Sequence, residues 1–193
     1  MNEHRELADR VLALLRSGAA PWRYPTNVIP EFKLTFGKFF NGEPLAEAEV
    51  SYTELDAIIE ATGAKIIHNG QSRKPRFHRL TDKIVMPVRS VFQNEAHYRA
   101  SLIHEVLHFL EAPWRVGWIG SDDQSELVCE AGTGMLESYL RLPHDQDDTN
   151  IRKHFCKWAE GIQADPNYLI RAAAVAEFSV NYLLDLRRRK EAA

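Results

Sequence analysis

Residues 104–108 read His-Glu-Val-Leu-His. On an α-helix, His104 and His108 stand one turn apart on the same face, so both imidazoles can close on one metal ion. Zn2+ is the usual guest of such a pair, and Glu105 lies in reach of a water at the ion's open position. A carboxylate there can take the proton as that water attacks a carbonyl. This chemistry needs an anchored helix, and the flanking residues supply one. Asn94 is a good N-cap, and Glu95 suits the positive end of the helix dipole. Leu102, Ile103, Val106, Phe109 and Leu110 form a broad apolar face, and Pro113 stops the helix. The plainer alternative is an ordinary amphipathic helix with two polar histidines on its flank.

The rest of the chain is expected to wrap this helix. Residues 3–17 read as a helix with Leu7, Val11, Leu14 and Leu15 on one side and Gly18 past its end. Residues 28–50 suggest short strands carrying Phe32, Leu34, Phe36, Phe39 and Phe40, with Asn41-Gly42 as a tight turn. Ser51 and Glu54 have capping-box spacing before Leu55, Ile58 and Ile59, and Gly63 ends that helix. Strands follow at 64–68, 76–80 and 83–86, the last stopped by Pro87. They form a small sheet against the helix that carries the two histidines. An edge of that sheet can pair with an extended peptide, or the sheet simply covers the helix.

Three helices complete the chain. One begins near Asp122 or Asp123 and runs to Leu140, with Leu127, Val128, Met135, Leu136 and Leu140 on its core face. Asp148 or Thr149 caps the next, which carries Ile151, Phe155, Trp158 and Ile162. Asp165-Pro166 opens the last, as N-cap and N1; it includes Leu169, Ile170, Ala173, Phe178 and Leu184. It ends in Arg187-Arg188-Arg189-Lys190, where cations complement the dipole and a solvated tail is expected before a nucleic-acid contact.

An ion held by two histidines needs a third protein ligand. A Gly at 111 and a His at 114 would give the three-histidine form, but the chain has Glu111 and Trp114. Glu126 and Glu130 stand one turn apart on the following helix and can both face the histidines. One can ligate while the other accepts the N–H of a ligating histidine. Glu126 is taken as the ligand and Glu130 as that acceptor, because a ligating Glu with an acid four residues later resembles thermolysin-like peptidases. Glu111, Asp122 and Asp123 remain candidates, and Asp123 with Glu126 also has capping-box spacing. His97, His78 and Tyr98 are candidates for lining the cleft or donating to a developing oxyanion. Cys129 and Cys156 are expected in the helices' packing, not on the ion.

Composition sets the setting. The 193 residues carry a formal net charge of −3, so there is no global basic field for nucleic acid. Two cysteines make no disulfide framework and fit a reducing compartment. No apolar run reaches the length of a membrane span, so the expectation is a cytoplasmic protein without a membrane partner.

Several segments together resemble one family. Leu55 to Ala64, Asp82 to Pro87, the 104–108 motif, Ser125 to Glu130, and the run from Trp158 through Ala172-Ala173 to Tyr182-Leu183 are similar to the metallopeptidase domain of ArdC-type antirestriction proteins and of phage or plasmid polyvalent proteins. The resemblance runs in order over residues 50–186. It implies an α+β, zincin-like fold: a small antiparallel or mixed sheet packed on the active-site helix, then a C-terminal helical part. It also implies a Zn2+ site at His104, His108 and Glu126, with Glu105 as catalytic acid/base. Residues 7–27, with Gly18 and Pro21-Trp22, resemble the opening of that family's single-stranded-DNA-binding domain, most of which has no room before Ser51. Phe109-Leu110-Glu111 replaces the family's usual Trp-Thr-Gly. The expected organisation is a shortened N-terminal remnant over 1–50 and a zincin-like domain over 51–193. The expected function is zinc-dependent hydrolysis of a peptide bond in a protein substrate, encoded by a mobile element or phage. The alternative is an antirestriction protein associated with single-stranded DNA, its metal structural.

Overall fold

Apolar residues at helical spacing decide the architecture, because each helix must bury its stripe against another. The computed structural model describes residues 2–19, 21, 46, 49–118, 120–144 and 151–192. The chain runs through α1 (Asn2–Ser17), α2 (Thr53–Ala61), β1 (Lys65–His68), β2 (Arg76–His78) and β3 (Lys83–Met86), then a 3-10 turn at Arg89–Val91. It continues through α3 (Glu95–Leu110), α4 (Asp122–Leu140), α5 (Arg152–Ala164) and α6 (Asn167–Glu191). The expected strands over 28–50 fall outside the described residues, apart from 46, 49 and 50, as do the expected caps Asp148 and Thr149.

Among the described residues, one hydrophobic cluster joins helices α1 to α6. It includes Leu7, Val11 and Leu15 of α1, Leu55 and Ile58 of α2, Ile103 and Val106 of α3, and Leu127 and Leu136 of α4. Trp158 and Ile162 of α5 and Ala173, Ala176 and Leu183 of α6 belong to it too. Phe178 turns away from this core and is 60% exposed. The N-terminal helix therefore shares its core with the residues after 51.

The sheet is mixed, in the order β1-β3-β2, with β1 parallel and β2 antiparallel to the central β3. The second strand is shorter than expected and ends at His78. It forms one edge of the sheet and leans on α3, where Phe77 meets Phe109 edge-on with ring centroids 5.8 Å apart.

The helix starts follow capping chemistry, though not always at the expected residue. Asn94 accepts the His97 N–H, as the sequence suggests. The expected Ser51–Glu54 box does not form: Thr53 opens α2 after Tyr52, and Ser51 bonds to Thr53 instead. Ser121 with Gln124 forms the box that starts α4. That reciprocal bond frees Glu126 from any capping role. Asp165 accepts the Asn167 N–H at 2.9 Å, and Pro166 immediately precedes α6.

At the α6 end, the basic run is engaged in ion pairs. Arg187 reaches Glu54 and Glu191, Arg188 reaches Asp185, and Lys190 reaches Glu60. These contacts tie α6 to α2, in keeping with the structural reading of the run.

Close approach of α3, α4 and α6 depends on Gly132. A Cβ built there would lie 2.9 Å from Leu107 Cδ1 and 3.7 Å from the Ala176 Cβ. Gly132→Val should overpack this crossing and lower stability by about 1–3 kcal/mol. Urea unfolding measures the loss; an unchanged midpoint would show that the helices can move apart freely.

Candidate metal centre

The two histidines project from α3 as helical spacing requires, and their Nε2 atoms stand 3.0 Å apart. Glu126, on α4, completes a triangle. Its carboxylate lies 3.3 Å from His104 Nε2 and 3.9 Å from His108 Nε2. The far nitrogen of each ring meets another acid. His104 Nδ1 is 2.9 Å from Glu130 Oε1, and His108 Nδ1 is 2.8 Å from Glu111 Oε1. The hydrogen bond from His108 Nδ1 to Glu111 turns its Nε2 lone pair outward, whereas Glu130 lies close to His104 Nδ1 without hydrogen-bond geometry. Two Nε2 lone pairs facing each other repel, unless a proton or a metal cation lies between them.

Electrostatics points the same way. Burial alone would lower the His104 pKa, but its contacts with Glu126 and Glu130, and the charges of Glu130 and Glu105, hold it up at about 10. Burial would raise the Glu126 carboxyl, yet His104, then His108 and His154, bring it down to about 2. In the absence of an ion, a proton supplies the positive charge that this acidic cluster demands. A donor set of imidazoles and carboxylates suits a divalent cation.

Glu105 is buried at 8% exposed, and its Oε2 accepts the Phe77 N–H of edge strand β2. That N–H points off the sheet, since Phe77 lies opposite Ile84 and donates to Glu105. The strand thus fixes the carboxylate and turns its outer main-chain edge toward the site. Nearby is a cavity of about 250 Å³ walled by Phe77, Trp114 and Trp118, with Arg79, Glu111 and Ser125 at its polar side.

Glu111 is the residue whose role the sequence leaves most open. It accepts from His108, Ser125 and Arg79 together, and it sits behind His108 and not beside Glu126. Burial works against its charge, but the His108 contact prevails and its pKa is lowered. Cys129 lies close to both histidines: its sulfur and one nitrogen of each ring fall within 4.8 Å of one another. However, burial, followed by the charges of Glu111, Glu126, Glu105 and Glu130, pushes the thiol pKa well above its usual value. Only a thiolate ligates well, so this sulfur is a poor donor.

Three candidates are placed elsewhere. The Tyr98 hydroxyl is 2.9 Å from His68 Nε2, and its ring lies under Arg89, with the guanidinium carbon 4.1 Å from the centroid. Tyr98 therefore packs between α3 and the sheet. His97 meets Phe92 edge-on at 5.3 Å. His78 is exposed, and strand alternation sends it to the face opposite Phe77. Asp123 is held by His154, while Asp122 is exposed at the start of α4.

A sequence model of the zincin-like metallopeptidase family matches residues 53–175. This chain belongs to that family. The family implies a divalent metal, and residues 104–108 lie within the matched segment. Two solved structures of the antirestriction protein ArdC from plasmid R388 share the fold. The Mn(II)-bound one has a TM-score of 0.74 at 19% identity, covering 95% of this chain and 97% of ArdC. The metal-free one has a TM-score of 0.73 at 20% identity, covering 96% and 98%. An Escherichia coli DNA primase, TraC, is 26% identical over 174 residues, which span 82% of this chain and 16% of the primase. No helix among the described residues is long and apolar enough to cross a membrane.

Proposed function

We propose that this protein is a zinc-dependent peptidase that hydrolyses a peptide bond in a protein substrate. His104, His108 and Glu126 hold the ion, Glu130 supports His104, and Glu105 is the acid/base. The observation that carries this reading is Glu105 itself, a buried carboxylate next to the histidine pair, oriented by a main-chain N–H of an edge strand. A purely structural ion site has no use for such a base. A bound divalent ion supplies Lewis acidity toward a carbonyl and a water.

The chain's own residues do the rest. With Oε2 occupied by Phe77, Glu105 Oε1 takes the proton of the attacking water and passes it to the leaving amine. At the outer edge of β2, where the Phe77 N–H is held by Glu105, an extended substrate donates to the Phe77 carbonyl. The aromatic cavity beside it accommodates a substrate side chain. Two free thiols, Cys129 and Cys156, accord with action in the cytoplasm.

The test is cleavage of a proteome-derived peptide mixture by zinc-loaded protein, read by mass spectrometry. New termini should appear, and a chelator should abolish them. If the loaded protein cleaves nothing beyond its chelated control, the peptidase reading is wrong.

The named relatives favour a second reading. By analogy with the antirestriction and primase relatives, the chain would associate with single-stranded DNA through residues 1–50, with the metal structural. A mobility shift of single-stranded DNA that weakens with salt would support it.

A further inference from the structure

A third histidine repeats the arrangement of the first two. His154, on α5, has its Nδ1 2.7 Å from Asp123 Oδ1. Its Nε2 is buried without a hydrogen-bond partner and lies 3.9 Å from Glu126 Oε2. That is the distance at which His108 Nε2 stands from the same carboxylate. Three imidazoles, from two helices, therefore share one spacing: an acid oxygen within 2.9 Å of Nδ1 and a Glu126 oxygen within 3.9 Å of Nε2, although only His108 and His154 have a hydrogen bond at Nδ1. The acids are Glu130, Glu111 and Asp123.

The ring of His154 is well fixed. It stacks on Trp158 at 5.6 Å with an interplanar angle of 16°. The Trp158 Nε1–H donates to the Asp123 carbonyl at 2.6 Å, which locks ring and acid together. With its Nδ1 against Asp123, a neutral His154 turns the Nε2 lone pair toward a carboxylate, and that atom is buried without a hydrogen-bond partner. A cation at Glu126 would provide that lone pair with a partner.

We propose that His154 is a fourth protein ligand of the ion, alongside His104, His108 and Glu126. The inference rests on the ion site proposed above but not on peptide cleavage. Four protein donors leave an open position only on an ion that takes five or more ligands. The chain would then favour ions tolerant of higher coordination, or a zinc that expands its shell.

X-ray absorption of the zinc-loaded wild type counts imidazoles directly: three are expected, and two would overturn the proposal. Competition with a chromophoric chelator gives a second readout. His154→Gln should weaken zinc and cobalt binding about 100-fold, and Asp123→Asn about 10-fold, as changes around a metal-ligating histidine do. The visible spectrum of the cobalt-loaded protein should also change in His154→Gln. Affinity within about twofold of wild type, with an unchanged cobalt spectrum, would overturn the assignment. Should His154→Gln fail to fold, the wild-type imidazole count still decides. Two imidazoles with peptide cleavage would remove His154 alone, whereas three without cleavage would remove the peptidase reading alone.

Discussion

Glu105→Gln should keep its metal and lose peptide cleavage by about 10²–10⁴-fold, the usual worth of a positioned general base. Glutamine has the same shape, and its carbonyl oxygen can still accept the Phe77 N–H that holds Glu105 Oε2. The edge strand should stay where it is. What disappears is the basic oxygen that takes a proton from water. His104, His108 and Glu126 are untouched, so elemental analysis should find the same ion content as in wild type. Turnover and metal content must therefore separate: loss of both would make Glu105 part of the ion's binding site, and retention of turnover would assign the proton transfer to another group. Glu126→Ala should behave in the opposite way and lose the ion first.

The contrast between these two acids shows what spacing can and cannot reveal. His104, Glu105 and His108 lie within five consecutive residues on one helix, so helical geometry alone relates them. Glu126 and Glu130 are again one turn apart, and the structure brings both to His104. The helices themselves follow apolar periodicity, and α3 and α4 have nearly the expected limits. Relations between elements are different. His154 and Asp123 belong to separate helices, and nothing in their local sequence links them; the closest hint is Trp158, one turn after His154 on a core-facing stripe. Glu111 is in sequence one of several ligand candidates, and its place behind His108 depends on where Ser125, Arg79 and His108 meet it. Tyr98 and His97 lie on the same helix as the motif but rotate toward the sheet and Phe92. A periodicity argument places them near the site, whereas packing against β1 and the preceding loop takes them away. Asn94 caps α3 as expected, while the starts of α2 and α4 differ by small shifts, because Ser, Thr and Asp near a helix start compete for the same N–H groups.

Zinc uptake should strengthen about tenfold per pH unit from about pH 6.5 to 9.5, or about 10³-fold over that range. Without an ion, His104 keeps its proton up to about pH 10, while Glu126 stays ionised down to about 2. The ion occupies the nitrogen that carries this proton and must displace it. Each unit of alkalinity lowers the competing proton concentration tenfold, so apparent affinity rises with pH until the His104 value is passed. An imidazole at its ordinary value of 6.5 would instead level off near neutrality. The metal-free fold follows the same linkage with opposite consequence. Because the folded-state value of His104 lies above the unfolded one, its stabilising contribution is complete below about pH 6.5 and disappears as pH rises toward 10. The Glu126 shift is the other half of that ion pair and acts at the acid end: its contribution is present above about 4.5 and is lost as pH falls toward 2. Metal-free protein should thus weaken between neutral and alkaline pH, just where ion binding strengthens, so the stabilisation conferred by zinc widens with pH. Chelator-buffered zinc titrations paired with denaturant midpoints at several pH values measure both trends. Affinity that stays flat above about pH 7.5 would mean that no proton is held between the histidines and Glu126, and that the charge balance of the site is set by some other group.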